Sequence, residues 1–241
     1  MKKFRSEGPI SYANYQFAYC DWIHLEDSKE LKTVYGDGFL PFSGDPKDPR
    51  HLFYMARSLR VNLEHFSVDK KRRYDHREWT DFGLIRSIQK KEAFMALHGE
   101  SAIEKAQKWM HPRFGEKALS PDRLAYILAK PYLSHILTWS RKDRLTAFAL
   151  IVRGDWGAHY WYVFYENGGG EKSAPGHGYL ADFLEWARSE ELPHAYIGTA
   201  YGLKSRYKSR GLKGIEFWDG NSWNTGKEKL KQRQEADELR G

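Results

Sequence analysis

The sequence predicts an α+β fold in which a mixed, mostly antiparallel sheet is flanked by helices and joined by a smaller N-terminal α/β lobe. Three short apolar and aromatic runs between residues 137 and 165 are separated by the turn segments 141–144 and 154–158, which is typical of antiparallel strands. Apolar residues recur at helical spacings between 85 and 128 and again between 177 and 191. Hydrophobic residues make up 41% of the 241 residues, enough for a substantial core.

The N-terminal lobe is expected over residues 1–75. Asp27-Ser28-Lys29-Glu30 supplies helix-start chemistry, and Gly36-Asp37-Gly38 ends the short helix that follows. Residues 38–46 and 52–66 are each predicted to contain a strand. The start of the lobe is also strand-like, because it is rich in aromatic residues: Tyr12, Tyr15, Phe17, Tyr19 and Trp22.

The larger core is expected over residues 76–226. Its first part is predicted to be helical from Ile85 to Met110, and Ser120 with Pro121 opens a further helix that ends before Pro131. The 227–241 tail carries alternating charges and is expected to be a solvated or frayed helix. The remaining predicted elements are three antiparallel strands, a helix and two strands: Leu137–Trp139, Leu145–Val152, His159–Tyr165, His177–Glu191, Ala195–Ala200 and Ile215–Trp218.

Composition narrows the class of protein. A net charge of +7 with 15% aromatic residues excludes a disordered chain and favours a polyanionic partner such as nucleic acid. The single cysteine, Cys20, excludes an internal disulfide and a cysteine-rich metal cluster, and the ten histidines lack metal-ligand spacing. Without a signal peptide or an apolar run near 18 residues, we expect a cytoplasmic monomer that binds no metal and no membrane.

The order of elements after residue 137 resembles the core of GNAT-type acyltransferases. The resemblance implies that two parallel strands, His159–Tyr165 and Ala195–Ala200, splay apart and admit an acyl donor between them. It also implies that the helix between these strands presents its N-terminus to the phosphates of the donor.

Three blocks are similar to the arginyl-tRNA–protein transferases and their bacterial leucyl-transferring relatives. The first runs from Arg60 through Phe66 to Arg73, and the second is the hairpin Leu145–Tyr165. The third and most specific combines Tyr196-Ile197-Gly198 with Lys204-Ser205-Arg206-Tyr207-Lys208. Together they cover roughly residues 11–225. The chain departs from the family in having only Cys20 where members usually carry cysteine pairs, and in a shorter spacing from Gly198 to Lys204.

The resemblance implies transfer of an amino acid, of the arginine or leucine type, from aminoacyl-tRNA to the N-terminal amine of a protein or peptide whose first residue is acidic. Such a reaction needs cations that hold tRNA phosphates, and a site that deprotonates the amine and stabilises an oxyanion. The catalytic candidates are Tyr165, Glu166 and Tyr201, with backbone N–H groups at the end of Ala195–Ala200 as oxyanion donors. The tRNA-binding candidates are Arg57, Arg60, Lys70, Lys71, Arg72, Arg73, Lys204, Arg206, Tyr207 and Lys208.

Other interpretations stay open at this point. Each basic run is also compatible with a solvated surface or, at Arg206 and Tyr207, with pinning of a loop. Gly176-His177-Gly178 partly matches a coenzyme A pyrophosphate loop, although Ser173 stands where that loop has arginine or glutamine. The alternatives are therefore an acyl-CoA-dependent N-acyltransferase and a non-enzymatic tRNA- or RNA-binding module. Aminoacyl-tRNA is expected as co-substrate with no cofactor, and coenzyme A enters only in the first alternative.

Overall fold

The computed structural model describes residues 1–7, 19–70, 83–115, 119–166 and 175–238. The first seven strands are β1 Lys2–Glu7, β2 Tyr19–His24, β3 Phe39–Pro41, β4 Leu52–Met55, β5 Ser58–Asn62, β6 Ser67–Val68 and β7 Ile85–Lys90. The others are β8 His135–Arg141, β9 Arg144–Gly154, β10 Gly157–Tyr165, β11 His194–Thr199, β12 Leu212–Lys213, β13 Ile215–Trp218 and β14 Trp223–Asn224.

The helices in the described part of the chain lie before, between and after these strands. They are α1 Leu31–Gly36, α2 Lys91–Phe114, α3 Pro121–Leu128, α4 Pro175–Ser189 and α5 Lys227–Glu238. Two 3₁₀ helices, Ser28–Glu30 and Leu203–Lys208, complete the set in these ranges. Helix α2 is kinked at Gly99, whose backbone leaves the helical region.

The main sheet has eight strands in the order β14-β13-β5-β11-β10-β9-β8-β7. Its pairs are antiparallel except for β10 and β11, which run parallel with α4 as the connection between them. A second sheet in the order β1-β2-β4-β3 forms the N-terminal lobe, and β6 pairs with β12. This mixed α+β architecture confirms the predicted fold class and is GNAT-like in topology.

Apolar side chains fill both faces of the main sheet. On one face, Phe183 and Leu184 of α4 pack against strand residues such as Ile197. On the other face, α2 and α3 bury Phe94 and Ile127 in a separate cluster. The N-terminal sheet contributes a third cluster around Tyr35 that includes Tyr196 of β11. The N-terminal lobe is therefore packed directly behind the parallel strand pair.

Several helix and turn signals in the sequence work as predicted. The Asp27 carboxylate accepts a hydrogen bond from the backbone N–H of Lys29, and Glu30 completes a capping box. Ser120 caps α3 by accepting from the N–H of Arg123, with proline at the first helical position. Lys142 and Asp143 both have positive φ, the conformation that a tight hairpin between β8 and β9 requires.

Three expectations about the elements are wrong. The segment from Ile85 to Lys90 is the strand β7, because pairing with β8 outweighs a helical spacing that is also compatible with a strand. The expected strand over 52–66 is two strands, β4 and β5, which belong to different sheets. The tail is a docked helix and not a free one, since one face of α5 buries Leu230, Gln234 and Asp237 while the opposite face is exposed.

Within the described ranges, no helix has the length and apolar character needed to cross a membrane. The division of the chain at residues 75 and 226 stays a prediction. The start of the N-terminal lobe from residue 8 to residue 18 lies outside the described residues.

Candidate active site

The parallel strands β10 and β11 separate after a short stretch of pairing. Only Ala158 with Ala195 and His159 with Tyr196 are in register, and beyond them the strands diverge. Both strands bulge at this point: β10 between Tyr160 and Tyr162 against β9, and β11 between Tyr196 and Thr199 against β5. Bulges bend a strand and increase its twist, so paired bulges on neighbouring strands are a physical cause of the splay. The predicted splay is therefore present.

A pocket of about 540 Å³ occupies the space that the splay opens. This volume is in the range of sites that hold small ligands. Its floor is largely aromatic and aliphatic, and its polar groups come from the 3₁₀ helix Leu203–Lys208 and the start of α4. The lining residues are Phe114, Tyr160, Trp161, Val163, Tyr165, Gly176, His177, Leu180, Ile197, Gly198, Thr199, Tyr201, Lys204, Ser205, Tyr207 and Lys208.

The 3₁₀ helix brings the most specific motif of the sequence to the pocket. Lys204 and Tyr207 are exposed at its mouth, whereas Ser205 is buried and ties the helix to Gly202 and to Gln234 of α5. The Tyr207 ring stacks on the ring of His177 with centroids 5.2 Å apart and an angle of 7° between the planes. This pair forms an aromatic platform beside a lysine at the entrance.

Lys208 extends toward β11, whereas Lys204 of the same motif is exposed. Its Nζ donates a hydrogen bond of 3.0 Å to the carbonyl oxygen of Thr199, at the bulge of β11. Gly198 has a φ of +84°, and a Cβ there would lie 3.2 Å from Nζ. Burial lowers the pKa of Lys208 to about 8, because removing the ammonium from water disfavours its charged form.

Two tyrosines of β10 line the floor. The Tyr165 ring packs beside Tyr179, and its hydroxyl lies so close to Gly176 that a Cβ there would come within 2.9 Å of it. Tyr160 is 9% exposed, and its hydroxyl has no hydrogen-bond partner among the described residues. A buried hydroxyl without a partner is costly, so this atom marks a place where a polar group of a ligand is favourable.

Glu166 does not line the pocket, contrary to expectation. Its carboxylate accepts two hydrogen bonds from Arg144 across the β9–β10 hairpin, at 2.8 and 2.7 Å. This ion pair lowers the pKa of Glu166, which makes the carboxylate a weaker base. The assignment of Glu166 as a catalytic residue stays a prediction, and its contacts are those of an ion pair at the end of the hairpin.

Arg57 and Arg60 lie at β5 and are held by carboxylates, not presented to phosphates. Arg57 directly precedes the strand and forms a bidentate pair with Asp237 at 2.6 and 3.2 Å. Arg60 pairs with Glu216 at 2.6 Å and lies over the Trp223 ring. Both guanidinium groups are largely buried and paired with carboxylates, which are the contacts of groups that stabilise the sheet. Their assignment to tRNA binding stays a prediction.

Tyr201 and Arg206 also have structural contacts. The Tyr201 hydroxyl accepts a hydrogen bond of 2.8 Å from the backbone N–H of Arg57, whose guanidinium covers the ring. Burial raises the pKa of Tyr201 to about 12, so it is a poor proton acceptor at neutral pH. Arg206 pairs with Glu235 of α5 at 2.7 Å, which corresponds to the pinning interpretation. Tyr201 still lines the pocket.

Lys70 joins the basic surface from another part of the chain. Strand β6 pairs with β12, and the backbone N–H of Asp69 donates to the carbonyl of Gly211. The exposed residue Lys70 therefore follows a strand whose partner, β12, carries the exposed residue Lys213. Lys71, Arg72 and Arg73 lie outside the described residues.

The backbone N–H groups at the end of β11 differ in arrangement from the oxyanion donors expected from the sequence. The N–H of Ala200 donates to the carbonyl of Arg57 at 2.9 Å and is therefore already used. Strand β10 offers the better edge, because its pairing with β11 ends at His159 and its groups on that side face the pocket. Residues that sequence reasoning missed include Tyr160, His177 and Gly198 as parts of one site. A β-bulge adds one residue to a strand, so the positions that face the pocket do not follow a regular spacing in the sequence.

Among the described residues, no group of three or more His, Cys, Asp or Glu side chains is placed to hold a metal ion. His159 is buried behind the pocket and accepts or donates a hydrogen bond of 2.9 Å at Nδ1 with the hydroxyl of Tyr35. Burial lowers its pKa to about 3, so the imidazole is neutral at physiological pH. Its contacts are those of a core residue.

No protein-family model matches this sequence, and no curated protein matches it. Three solved structures are similar at low identity. One is the C-terminal domain of a lysylphosphatidylglycerol synthetase from Agrobacterium fabrum, with 13% identity, a TM-score of 0.45, and 74% of this chain and 54% of that chain covered. This chain thus spans about half the length of that structure.

The second is L-PGS from Bacillus licheniformis, with 12% identity, a TM-score of 0.49, and 88% of this chain and 72% of that chain covered. The third is FemX, with 11% identity, a TM-score of 0.45, and 79% of this chain and 67% of that chain covered. None of the three is named as an arginyl-transferring protein. Similarity at this level assigns neither substrate nor activity to this chain.

Proposed function

We propose that this protein is an aminoacyltransferase that takes an amino acid from aminoacyl-tRNA and joins it to the N-terminal amine of a protein or peptide with an acidic first residue. The observation that carries the proposal is the pocket between β10 and β11 with the Leu203–Lys208 helix at its mouth. An apolar floor suits an aminoacyl group, and a cationic entrance suits the phosphates near the 3′ end of a tRNA.

The entrance also suits a nucleobase. Tyr207 is 41% exposed and stacked on His177, so an aromatic ring pair stands at the pocket mouth together with Lys204. Stacking on aromatic rings holds unpaired bases with little dependence on sequence. Phosphate contacts from Lys204 and the neighbouring basic surface would position the acceptor end without reading its sequence.

The chemistry needs little more than positioning. The ester of an aminoacyl-tRNA is more reactive than the peptide bond that replaces it. Correct placement of the attacking amine therefore provides most of the rate acceleration. Backbone N–H groups on the open edge of β10 are the proposed donors to the oxyanion. Tyr165 lies on the same strand, where its hydroxyl can orient the substrate from the floor.

A second function has one specific observation in its favour. The N-terminus of α4 lines the pocket through Gly176 and His177, and helix N-termini favour phosphate groups. Coenzyme A carries a pyrophosphate that such an end would hold. An acyl-CoA-dependent N-acyltransferase is therefore the competing proposal.

One experiment separates these functions. The protein is incubated with labelled arginyl-tRNA, leucyl-tRNA or acetyl-CoA and a peptide that begins with Asp, with the N-acetylated peptide as the matched control. We expect label on the free peptide from one charged tRNA, and no label on the blocked peptide. Transfer from acetyl-CoA alone would establish the competing function. Salt-sensitive tRNA binding without transfer from any donor would indicate a non-enzymatic binding module.

A further inference from the structure

The amino group of Lys208 lies inside the pocket and not on the protein surface. Its Nζ is tied to the Thr199 carbonyl at 3.0 Å, and Gly198 leaves the space beside it open. Both neighbours belong to the bulge of β11 that creates the pocket. A lysine used only to attract phosphates needs no such enclosure, as the exposed position of Lys204 illustrates.

The surroundings of this amine carry no compensating negative charge in the described part of the chain. None of the ion pairs there involves Lys208. No carboxylate among the described residues offsets the effect of burial on this ammonium group. With a pKa of about 8, a substantial share of the Lys208 amino groups is neutral under mildly alkaline conditions. The titratable groups that face this space from the packed elements are Lys204, Tyr207, His177, His159, Tyr160, Tyr165 and Tyr201.

A second polar atom points to a ligand in the same pocket. The buried hydroxyl of Tyr160 has no partner among the described residues. A polar substrate group that forms a hydrogen bond with this hydroxyl lies deeper in the pocket than the Tyr207–His177 ring pair at its mouth. The reacting atoms of a substrate are thereby expected in the inner pocket, where Lys208 ends.

We propose that Lys208 is the proton acceptor for the attacking amine in the transfer reaction. As the new N–C bond forms, neutral Nζ takes the proton that the amine nitrogen loses. As the ester C–O bond breaks, the same proton goes to the leaving ribose oxygen, so an ester and an amine become an amide and an alcohol. This inference rests on the proposed function and assigns Lys208 a role different from the expected phosphate contact.

Replacement by arginine separates the two roles. Lys208→Arg keeps the positive charge, but a guanidinium does not release its proton in this pH range. We expect single-turnover transfer to fall by about 100-fold or more, with the Kd for aminoacyl-tRNA changed less than about threefold. Below about pH 8 the logarithm of the wild-type rate should rise with pH with a slope near two, because Lys208 and the α-amino group of the peptide must both lose a proton, and in the variant this slope should fall to about one.

Lys91→Arg is the matched control. Lys91 is also largely buried, and its Nζ donates to the Lys130 carbonyl at 3.1 Å, but it does not line the pocket. Its replacement should leave both rate and pH profile unchanged. Lys208→Met removes charge and base together and should lose rate as the arginine variant does.

A measurement on the wild-type protein covers the case in which a variant fails to fold. Competitive acetylation of lysines, read by mass spectrometry across a pH series, should give an inflection near pH 8 for Lys208. An inflection at the ordinary value of lysine overturns the proposal, and so does full activity of a folded Lys208→Arg protein. Absence of transfer by the wild-type protein from every charged tRNA removes the proposed function and this role with it.

Discussion

Two glycines keep the pocket open by lacking a side chain. Gly176 lets α4 begin directly over the Tyr165 hydroxyl, and Gly198 lets Lys208 reach the bulge of β11. Gly198 is also in the left-handed region at a φ of +84°, where other residues are strained. The geometry of β11 and the position of the Lys208 amine therefore both depend on Gly198.

Gly198→Ala should therefore damage the site more than the fold. We expect a loss of about 1–3 kcal/mol in unfolding free energy from the strained backbone, together with at least a tenfold loss of transfer, because the new methyl group displaces Nζ. Denaturant unfolding and single-turnover rates measure the two effects.

Gly83→Ala is the control for strain alone. Gly83 also has positive φ at +65°, but no atom lies within 4 Å of the added Cβ. It precedes the edge strand β7, three positions from β10 in the sheet. A similar loss of transfer in both variants would mean that stability, not the position of Lys208, controls activity.

The residues of the Lys204–Lys208 motif were predictable as a group, because their spacing and family resemblance are local features of the sequence. The partners of the other cations were not. Arg57 and Asp237 are 180 residues apart, and Arg206 and Glu235 are 29 apart. The sequence does not show whether a cationic side chain contacts a phosphate or pairs with a distant carboxylate, so only the fold distinguishes the two cases.

At the scale of elements, α5 holds the 3₁₀ helix in place. Asp237 accepts hydrogen bonds from the Arg57 side chain and from the backbone N–H of Gly202. Glu238 accepts from the N–H of Leu203, and Gln234 donates to Ser205. The carboxylates of α5 thus satisfy backbone donors at the start of the element that carries Lys204 and Lys208.

Asp237→Ala should destabilise the protein and loosen the mouth of the pocket. Arg57 and Asp237 are only 16% and 6% exposed, so removing the carboxylate leaves a buried guanidinium unpaired. We expect a loss of about 3–5 kcal/mol in unfolding free energy, and weaker tRNA binding where the fold survives. Thermal and denaturant unfolding give the first quantity and filter binding gives the second.

Glu228→Ala is the control in the same helix. Its carboxylate is 70% exposed, and its ion pair with Lys231 is at the surface. Its removal should change stability by less than about 0.5 kcal/mol. An equally small effect of Asp237→Ala would show that α5 does not support the site.

The strands β8 to β10 were predictable because three apolar runs and the turn residues between them agree with each other over a long stretch. The strand β7 was not, because Ile85 and Ile88 are three residues apart and fit a helix as well as a strand. The amphipathic pattern of α5 was too weak to predict its docking. Its buried residues include Gln234 and Asp237, which pair with polar groups elsewhere in the fold.

At the scale of the molecule, the described cations of this chain of net charge +7 are divided between buried ion pairs and exposed positions. The described arginines at β5 are neutralised inside the fold, and the exposed cations near the pocket are few among the described residues. Lys204 lines the pocket, Lys213 lies on β12, and Lys70 follows β6, the strand that pairs with β12. A tRNA that uses this surface should make a small number of phosphate contacts.

The salt dependence of tRNA binding tests this surface. Replacing Lys70, Lys204 and Lys213 by Ala should reduce the slope of log K against log salt by about 0.7–0.9 for each phosphate that the protein no longer neutralises. Lys29, Lys32 and Lys47 are exposed in the N-terminal lobe, and their triple replacement should leave the slope unchanged. Equal slopes in both triple variants would contradict a tRNA site at the pocket mouth.

The position of β5 has a consequence for biosynthesis. This strand leaves the ribosome early, but its sheet neighbours β11 and β13 begin only at residues 194 and 215. The 132 residues from Asn62 at the end of β5 to His194 at the start of β11 take about 7–26 s to translate at roughly 5–20 residues per second. During that time both edges of β5 lack their partners, so a nascent chain exposes a strand that invites wrong pairing. Helpers that bind unfolded chains during translation would have their greatest effect in this interval.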